Sequence, residues 1–430
     1  MRSLKKRMGS TVRGSMLFVL SVFYVSCSPM EGGPPEEQQE LDPGSQRQGV
    51  GACSTNALLN GVRTWVHFAN PDAPCVTSAT GFVSSAGRDL NVLVELKRLI
   101  DHTPPGGVIK GHIFEINVDS LGQALLNAQA RGVTVYISTD PAVGASTDPS
   151  KTKYLDKLTH KVYCSSTNGL PCIGTSTNAA AVSHVKAFTF KQGSSTTGIP
   201  SPSGATYDYV TWFGSANMSY ASGSDMYQNS VSIYGWDALN ANMDGYLDDL
   251  YNQVQYSQYY DAASGRGYWS NAPGQFYASP SLNTDLVVDR LNEITPDANC
   301  KLRVMQSFIN DSRPAVTDKI VQMKKAGCTV YVAANSIEAT SLSKLKGAGI
   351  PVRKNDTHDK VFLVYGNYSG TYEYHVYTGS HNIGITANNT NDELLVKLAA
   401  EPASTDATTR PIYNAFYNHF YDAYDSGTAM

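Results

Sequence analysis

What this 430-residue sequence lacks narrows its class before any motif is read. No two of its seven cysteines stand in a CxxC spacing, so neither a zinc ribbon nor a dithiol redox motif is expected. Histidines, cysteines and carboxylates nowhere fall into the spacing of a catalytic metal site. No apolar run reaches bilayer-spanning length: MLFVLSVFYV at 16–25 is ten residues, too short for a transmembrane helix. Positive charge is not in excess either. The formal charge is −4, which weighs against a protein that grips a polyanion through many phosphate contacts. Tryptophan and phenylalanine are few (4 and 13) beside 26 tyrosines. Tyrosine has an apolar body and a polar tip, which suits half-wet surfaces and clefts.

Residues 1–27 read as a signal peptide: Arg2, Lys5, Lys6, Arg7 and Arg13 precede the short apolar run, and SCS follows it. Cys27 is placed for lipid attachment as in a bacterial lipoprotein, although Tyr24 stands where an aliphatic residue is usual. Export is expected, with secretion and a Cys27 anchor both open. Cleavage removes five of the 33 basic residues and no acidic one, leaving 28 against 37 and a formal charge of −9. Residues 28–50, rich in Pro, Gly, Glu and Gln, read as a disordered linker. The six remaining cysteines are an even number in an exported chain, which favours disulfides. The sequence-local pairing is expected: Cys53 with Cys75, Cys164 with Cys172, and Cys300 with Cys328.

The chain repeats itself. IKGHIFEINVDSLGQALLNAQARGVTVYIS (109–138) and LRVMQSFINDSRPAVTDKIVQMKKAGCTVYVA (302–333) each read as strand, amphipathic helix, glycine and β-branched strand. That order predicts a parallel βαβ unit in each half. After the first unit come His184, Lys186, Gly214, Ser215 and Asn217; after the second come His358, Lys360, Gly379, Ser380 and Asn382. Even the approach to the second motif matches, YDYVTWFGSAN against YEYHVYTGSHN. From His to Gly the first copy spans 30 residues and the second 21, the difference falling in a Ser/Gly/Pro-rich hairpin tip. A 51–270 half and a 271–430 half are expected.

On a strand, residues i and i+2 share a face, so each His projects beside its Lys. The returning strand brings Ser and Asn alongside, and Gly allows close backbone approach. Two such clusters facing each other suit in-line displacement at a phosphodiester: one imidazole attacks phosphorus and the other protonates the leaving alcohol. The lysines and asparagines hold the non-bridging oxygens.

These residues resemble the phospholipase D superfamily, whose signature is HxK followed by GSxN, twice per active site. The resemblance covers about residues 80–425. It implies an α/β fold: a duplicated mixed-sheet sandwich of two pseudo-twofold-related halves sharing one active site. It makes His184 or His358 the nucleophile, gives Lys186, Lys360, Asn217 and Asn382 to phosphate, and requires no cofactor and no metal. Two departures stand out. The family often has an Asp five residues after the Lys; here those positions are Lys191 and Tyr365. Asp208 and Glu373 are possible replacements, or ordinary solvent-facing strand carboxylates. The family also commonly places a carboxylate after GSxN, behind the catalytic imidazole. Glu393, or Asp392, fills that place in the second copy, and Asn229 stands at the matching position in the first. A carboxylate supports an imidazolium better than an amide does. On this reading Glu393 backs His358, making it the general acid and His184 the nucleophile.

The aromatic stripe IYNAFYNHFYDAY (412–424) has helical spacing and is expected to pack in the core rather than on a membrane. The resulting expectation is an exported, monomeric phosphodiesterase that cleaves phospholipid head groups by hydrolysis or exchange, meeting phospholipid at a membrane surface. Nucleic acid is the less favoured substrate, with an exported nuclease of the same chemistry as the alternative.

Overall fold

The computed structural model describes residues 53–75, 90–145, 149–164, 171–178, 180–193 and 197–430. The proposed signal segment, Cys27 and the linker lie outside them. The described residues belong to one compact unit built on two mixed sheets.

The first sheet holds β1 (Ser54–Leu59), β2 (Val62–Ala69), β3 (Val108–Ile113), β4 (Thr134–Thr139), β5 (His160–Tyr163), β6 (Ala187–Lys191), β7 (Tyr209–Gly214) and β8 (Gln228–Tyr234). Their spatial order is β1-β2-β8-β7-β6-β3-β4-β5. The second holds β9 (Tyr268–Asn271), β10 (Gly274–Ser279), β11 (Lys301–Ile309), β12 (Thr329–Ile337), β13 (Val352–Lys354), β14 (Lys360–Tyr368), β15 (Thr371–Gly379) and β16 (Glu393–Leu398). Its order is β9-β10-β16-β15-β14-β11-β12-β13, with three two-residue strands added at its margins. Strand for strand, the second sheet repeats the first.

The predicted βαβ units are present in both halves. β3 and β4 run parallel, joined by α2 (Asp119–Ala130), which follows α1 (Asn91–His102). β11 and β12 run parallel in the same way, joined by α5 (Pro314–Lys325). Buried Leu121, Ala124, Leu125 and Ala128 recur at three- and four-residue intervals on α2, which seats one face on the sheet. Val316, Ile320 and Met323 do the same on α5, whose first turn opens on Pro314. The extra residues of the first copy make a small hairpin of their own, Ile199–Pro200 against Thr206–Tyr207.

Three apolar clusters define the layers. α1 and α2 cover the outer face of the first sheet with Leu96, Leu99, Leu121 and Leu125 against Ile109, Ile137, Phe190 and Trp212. α4 (Leu286–Asn292), α5 and α6 (Ala339–Gly347) cover the outer face of the second. Between the sheets lie α3 (Asp237–Tyr251) and α7 (Pro411–Ser426), packed on Val66, Phe213 and Val231 from one side and Val361, Val376 and Val396 from the other.

The aromatic stripe is therefore core, as its spacing implied. Phe416, Phe420, Tyr417 and Tyr421 of α7 are all 1% exposed or less. The tyrosine excess, by contrast, does not mark wet clefts. Much of it is interior, with hydroxyls given to carboxylates: Tyr227 to Asp72 (2.6 Å) and Tyr259 to Asp249 (2.8 Å). A buried phenol is stable when its O–H finds an acceptor, and this fold supplies carboxylates for the purpose.

The three disulfides join Cys53 to Cys75, Cys164 to Cys172 and Cys300 to Cys328, the sequence-local pairing. Non-reducing peptide mapping of the purified protein should recover these three cross-links. The Cys300→Ser, Cys328→Ser double variant should lose on the order of 3 kcal/mol in denaturant unfolding, because the reduced loop regains unfolded-state entropy. Free thiols at these two positions in the native protein would contradict the pairing.

Candidate active site

Both HxK segments lie at the start of their strands rather than inside them. β6 begins at Ala187, just after Lys186, and β14 begins at Lys360 itself. Gly214 and Gly379 end β7 and β15, the antiparallel neighbours of those strands. HxK and GSxN therefore meet at the same end of each sheet. The glycines are needed for contact with the next strand. A Cβ at Gly214 would collide with the Asn229 carbonyl oxygen, and one at Gly379 with that of Leu394. Ser215 and Ser380 secure the same junctions. Each accepts a backbone N–H on its Oγ, from Asn229 and Leu394 respectively, at 3.0 Å. Their role in the structure is to hold the GSxN turn.

The two halves are stitched together through the HxK segments. The His184 N–H donates to the Asp392 carbonyl (2.9 Å), and the His358 N–H donates to the Tyr227 carbonyl (2.9 Å). Asp392 and Tyr227 immediately precede β16 and β8, the strand after GSxN in the opposite half. Each histidine is thus held by the other half's sheet, and the rings meet with centroids 6.3 Å apart.

This crossing corrects the expected partners. Glu393 backs His184 and not His358: the His184 Nδ1–H donates to Glu393 Oε2 at 2.9 Å. His358 Nδ1 faces the Ser215 carbonyl at 3.1 Å and Gln228 Oε1 at 3.3 Å. The true counterpart of Glu393 is Gln228, since each stands thirteen residues after the Ser of its GSxN. An ungapped count from the two motifs would have found it. Asn229, one residue on, is turned away: its amide donates to Asp359 and accepts from Thr378 Oγ1 (2.8 Å). Asp392 is structural too, accepting the Ile173 and Gly174 N–H groups (3.1 and 2.8 Å) and the Ser183 hydroxyl (2.6 Å). Asp208 and Glu373 do not approach the histidine pair. They lie toward the opposite ends of β7 and β15 from the glycines, Asp208 exposed beside Gln192 and Glu373 paired with His375.

Around the histidines, Lys186 is 3% exposed and Lys360 1%, each donating its ammonium to the carbonyl of its own motif's histidine. Phe114 walls one side, its ring 4.7 Å from that of His184 and 4.6 Å from the Lys186 ammonium. Asn217 and Asn382 each keep an amide oxygen with no partner among the described residues, so both retain unused hydrogen-bonding capacity. Behind the second motif, Arg313 donates to the Asn382 carbonyl (3.1 Å) and makes a paired contact with Asp285. Sequence reading overlooked Gln228, Phe114 and Arg313, which carry no motif of their own.

The electrostatics are those of a site awaiting an anion. Burial, then Lys186 and Lys360, push the His184 imidazole well down from its ordinary value. Burial, then the same lysines and His184, do so for His358. Burial also lowers Lys186, and brings Lys360 down to about 7. Two cations and two ionisable imidazoles crowd one buried volume, and Glu393, itself raised by burial, is the carboxylate that touches a histidine there. A bound phosphodiester would relieve that repulsion and draw protons onto these groups.

No protein-family model and no curated protein matches the chain. Among solved structures, phosphatidylserine synthase of Haemophilus influenzae aligns at a TM-score of 0.49 and 9% identity, over 78% of this chain and 84% of that one. Yeast tyrosyl-DNA phosphodiesterase aligns at 0.43 and 12%, over 79% and 91%. A phospholipase D family member, Nuc, from Salmonella typhimurium aligns at 0.28 and 22%, over 36% of this chain and 96% of that one. At these scores none of them decides the activity of this chain. Two HxK…GSxN sets thus lie on equivalent corners of a duplicated fold, with both histidines in one site.

Proposed function

We propose that this protein is an exported phosphodiesterase that cleaves phospholipid head groups through a covalent phosphohistidine. The observation that carries the reading is the pair of imidazoles facing each other across a buried site that also holds two lysine ammonium groups. His184 is the nucleophile. Its Nδ1–H is held by Glu393, which leaves the lone pair on Nε2 for attack on phosphorus. As the P–N bond forms and the P–O bond to the head group breaks, positive charge develops on the His184 ring and the Glu393 carboxylate balances it. His358 donates its proton to the departing alkoxide, then takes one from water as that water attacks phosphorus and the P–N bond breaks. An alcohol in place of water gives head-group exchange. Gln228 suits the shuttling histidine: an amide orients it without trapping its proton as a carboxylate would.

In this proposal the assignment of nucleophile and acid is the same as in the sequence reading, but for a different reason. Chain order alone joins the carboxylate to His358. The crossed geometry gives it to the group that carries covalent positive charge through the lifetime of the intermediate.

The acidic charge of the mature chain favours lipid over polynucleotide. The three disulfides are compatible with an oxidising compartment. Incubation with phosphatidylcholine and, separately, with plasmid DNA, both in excess chelator, tests substrate and mechanism together. Head-group release should persist without divalent ions. Cleavage of DNA alone, or abolition by chelator with rescue by a divalent ion, would refute the proposal.

The histidine roles can be separated. His184→Ala should abolish turnover on every substrate. His358→Ala should slow cleavage of a natural ester by on the order of 10²–10⁴-fold, the usual worth of a general acid. With a p-nitrophenyl ester, whose leaving group needs little protonation, the variant should still be phosphorylated and then stall. Mass spectrometry after acid-free quenching should find the label on His184. Label on His358 in the His184→Ala protein would reverse the assignment.

The site also predicts a pH dependence. Burial holds Lys360 down to about 7, so its ammonium is present below that pH and lost above it. Binding of a non-hydrolysable phosphonate diester should therefore weaken as pH rises through about 7. Lys360→Arg keeps its charge at every accessible pH and should flatten that dependence. A pH-independent inhibition constant in the unmodified protein would count against the low Lys360 value.

A further inference from the structure

The two halves of the site differ at one rim position that the proposed chemistry does not use. In the first half, His112 pairs with Ala187, which follows Lys186; in the second, Met305 pairs with Val361, which follows Lys360. Three residues further along the chain, Glu115, just past the end of β3, and Phe308, near the end of β11, therefore occupy equivalent places beside GSxN. The bridges of the next residues confirm it: Ile116 pairs with Met218 and Ile309 with Ile383, each directly after its motif's Asn. Both rim side chains are exposed, Phe308 by 43%. Ile385, three residues past Asn382, is exposed by 37%. One half thus presents a carboxylate at its rim and the other an apolar lip.

Glu115 does not stand apart from the site. Its Oε2 accepts from Asn217 Nδ2 at 3.1 Å, and its charge acts on the Lys186 ammonium. A carboxylate in this position repels the phosphate that Asn217 would bind. It is a cost for any polyanion, whose next phosphate would meet it as well. The cost is offset only by a substrate that brings a cation close to its phosphodiester.

Resting on the phospholipid reading above, we infer that Glu115 is a specificity-determining residue that holds the ammonium of a cationic head group, selecting choline- and ethanolamine-type phospholipids over anionic ones. In such lipids the ammonium lies two carbons from the ester oxygen, close enough for a group beside the phosphate site to reach it. The ammonium keeps a full positive charge whether or not it carries N–H groups, so a rim carboxylate meets it by charge while one of its oxygens stays with Asn217. The apolar lip at Phe308 and Ile385 suits the glyceride part of the same amphiphile.

The test compares kcat/KM for short-chain, water-soluble phosphatidylcholine and phosphatidylglycerol, so that interfacial binding does not enter. The unmodified protein should prefer the choline ester. Glu115→Gln retains an acceptor for Asn217 and removes only the charge. It should lower the choline-to-glycerol ratio by on the order of tenfold, as for loss of one close charge–charge contact. Glu115→Lys should move the ratio further, toward the anionic lipid. An equal loss on both lipids in Glu115→Gln would show that the residue merely positions Asn217, and would overturn the inference while leaving the phospholipid reading intact. Failure of the unmodified protein to cleave either lipid would overturn that reading, and the inference with it.

Discussion

Everything in this site depends on the exchange of hydrogen bonds between halves at the two HxK segments. Neither histidine is positioned by its own sheet alone. The His184 backbone is tied to Asp392 and the His358 backbone to Tyr227, and each ring then meets a side chain one residue further along the opposite half. A half-protein would carry an HxK and a GSxN but no oriented imidazole. Duplication is therefore built into the geometry of the site, because Glu393 and Gln228, which each meet a histidine Nδ1, come from the opposite copy.

The same crossing explains why a near-symmetric fold can divide labour. The sheets repeat strand for strand and the five motif positions are the same residue types in both halves. The two-step displacement proposed above needs two unlike histidines, one to carry phosphorus and the other to cycle a proton. One substitution between copies, Glu393 for Gln228, supplies the difference. Because partners are exchanged, that change in the second half acts on the histidine of the first. Asp359 continues the theme within the second motif. It gathers Ser215, Asn229 and, at 2.8 Å, His419 from α7, where the first copy has Val185. The central helix is thereby tied to the GSxN turn of the first half.

Burial sets the electrostatic character of the site. Lys186 and Lys360 are nearly inaccessible, and desolvation pulls both below the ordinary lysine value. Such an arrangement is unfavourable on its own and becomes favourable around a phosphate. The stability needed to hold it comes from the packed layers, above all the interior aromatic helix and the two sheets it separates.

The repeat, and what each repeat contains, can be read from the chain alone. Alternating apolar spacing and the glycine stops make the βαβ units legible, because strand and helix periods follow from local geometry. The motif residues were legible because two matched sets in the same order are improbable by chance. The local disulfide pairing and the burial of the 412–424 stripe followed from spacing and class. Only the tertiary structure decided which residue supports which histidine. Sequence places Glu393 in the same half as His358, so reading along the chain joins them. The sheets join it to His184, because contact follows the pseudo-twofold axis and not chain order. Tyrosine's preference for half-wet surfaces is likewise an average, and here interior tyrosines such as Tyr227 and Tyr259 place their hydroxyls on carboxylates nearer the surface. Glu115 and Phe308 were invisible as a pair until register placed both beside GSxN, since neither belongs to a motif and only the folded strands make their positions equivalent.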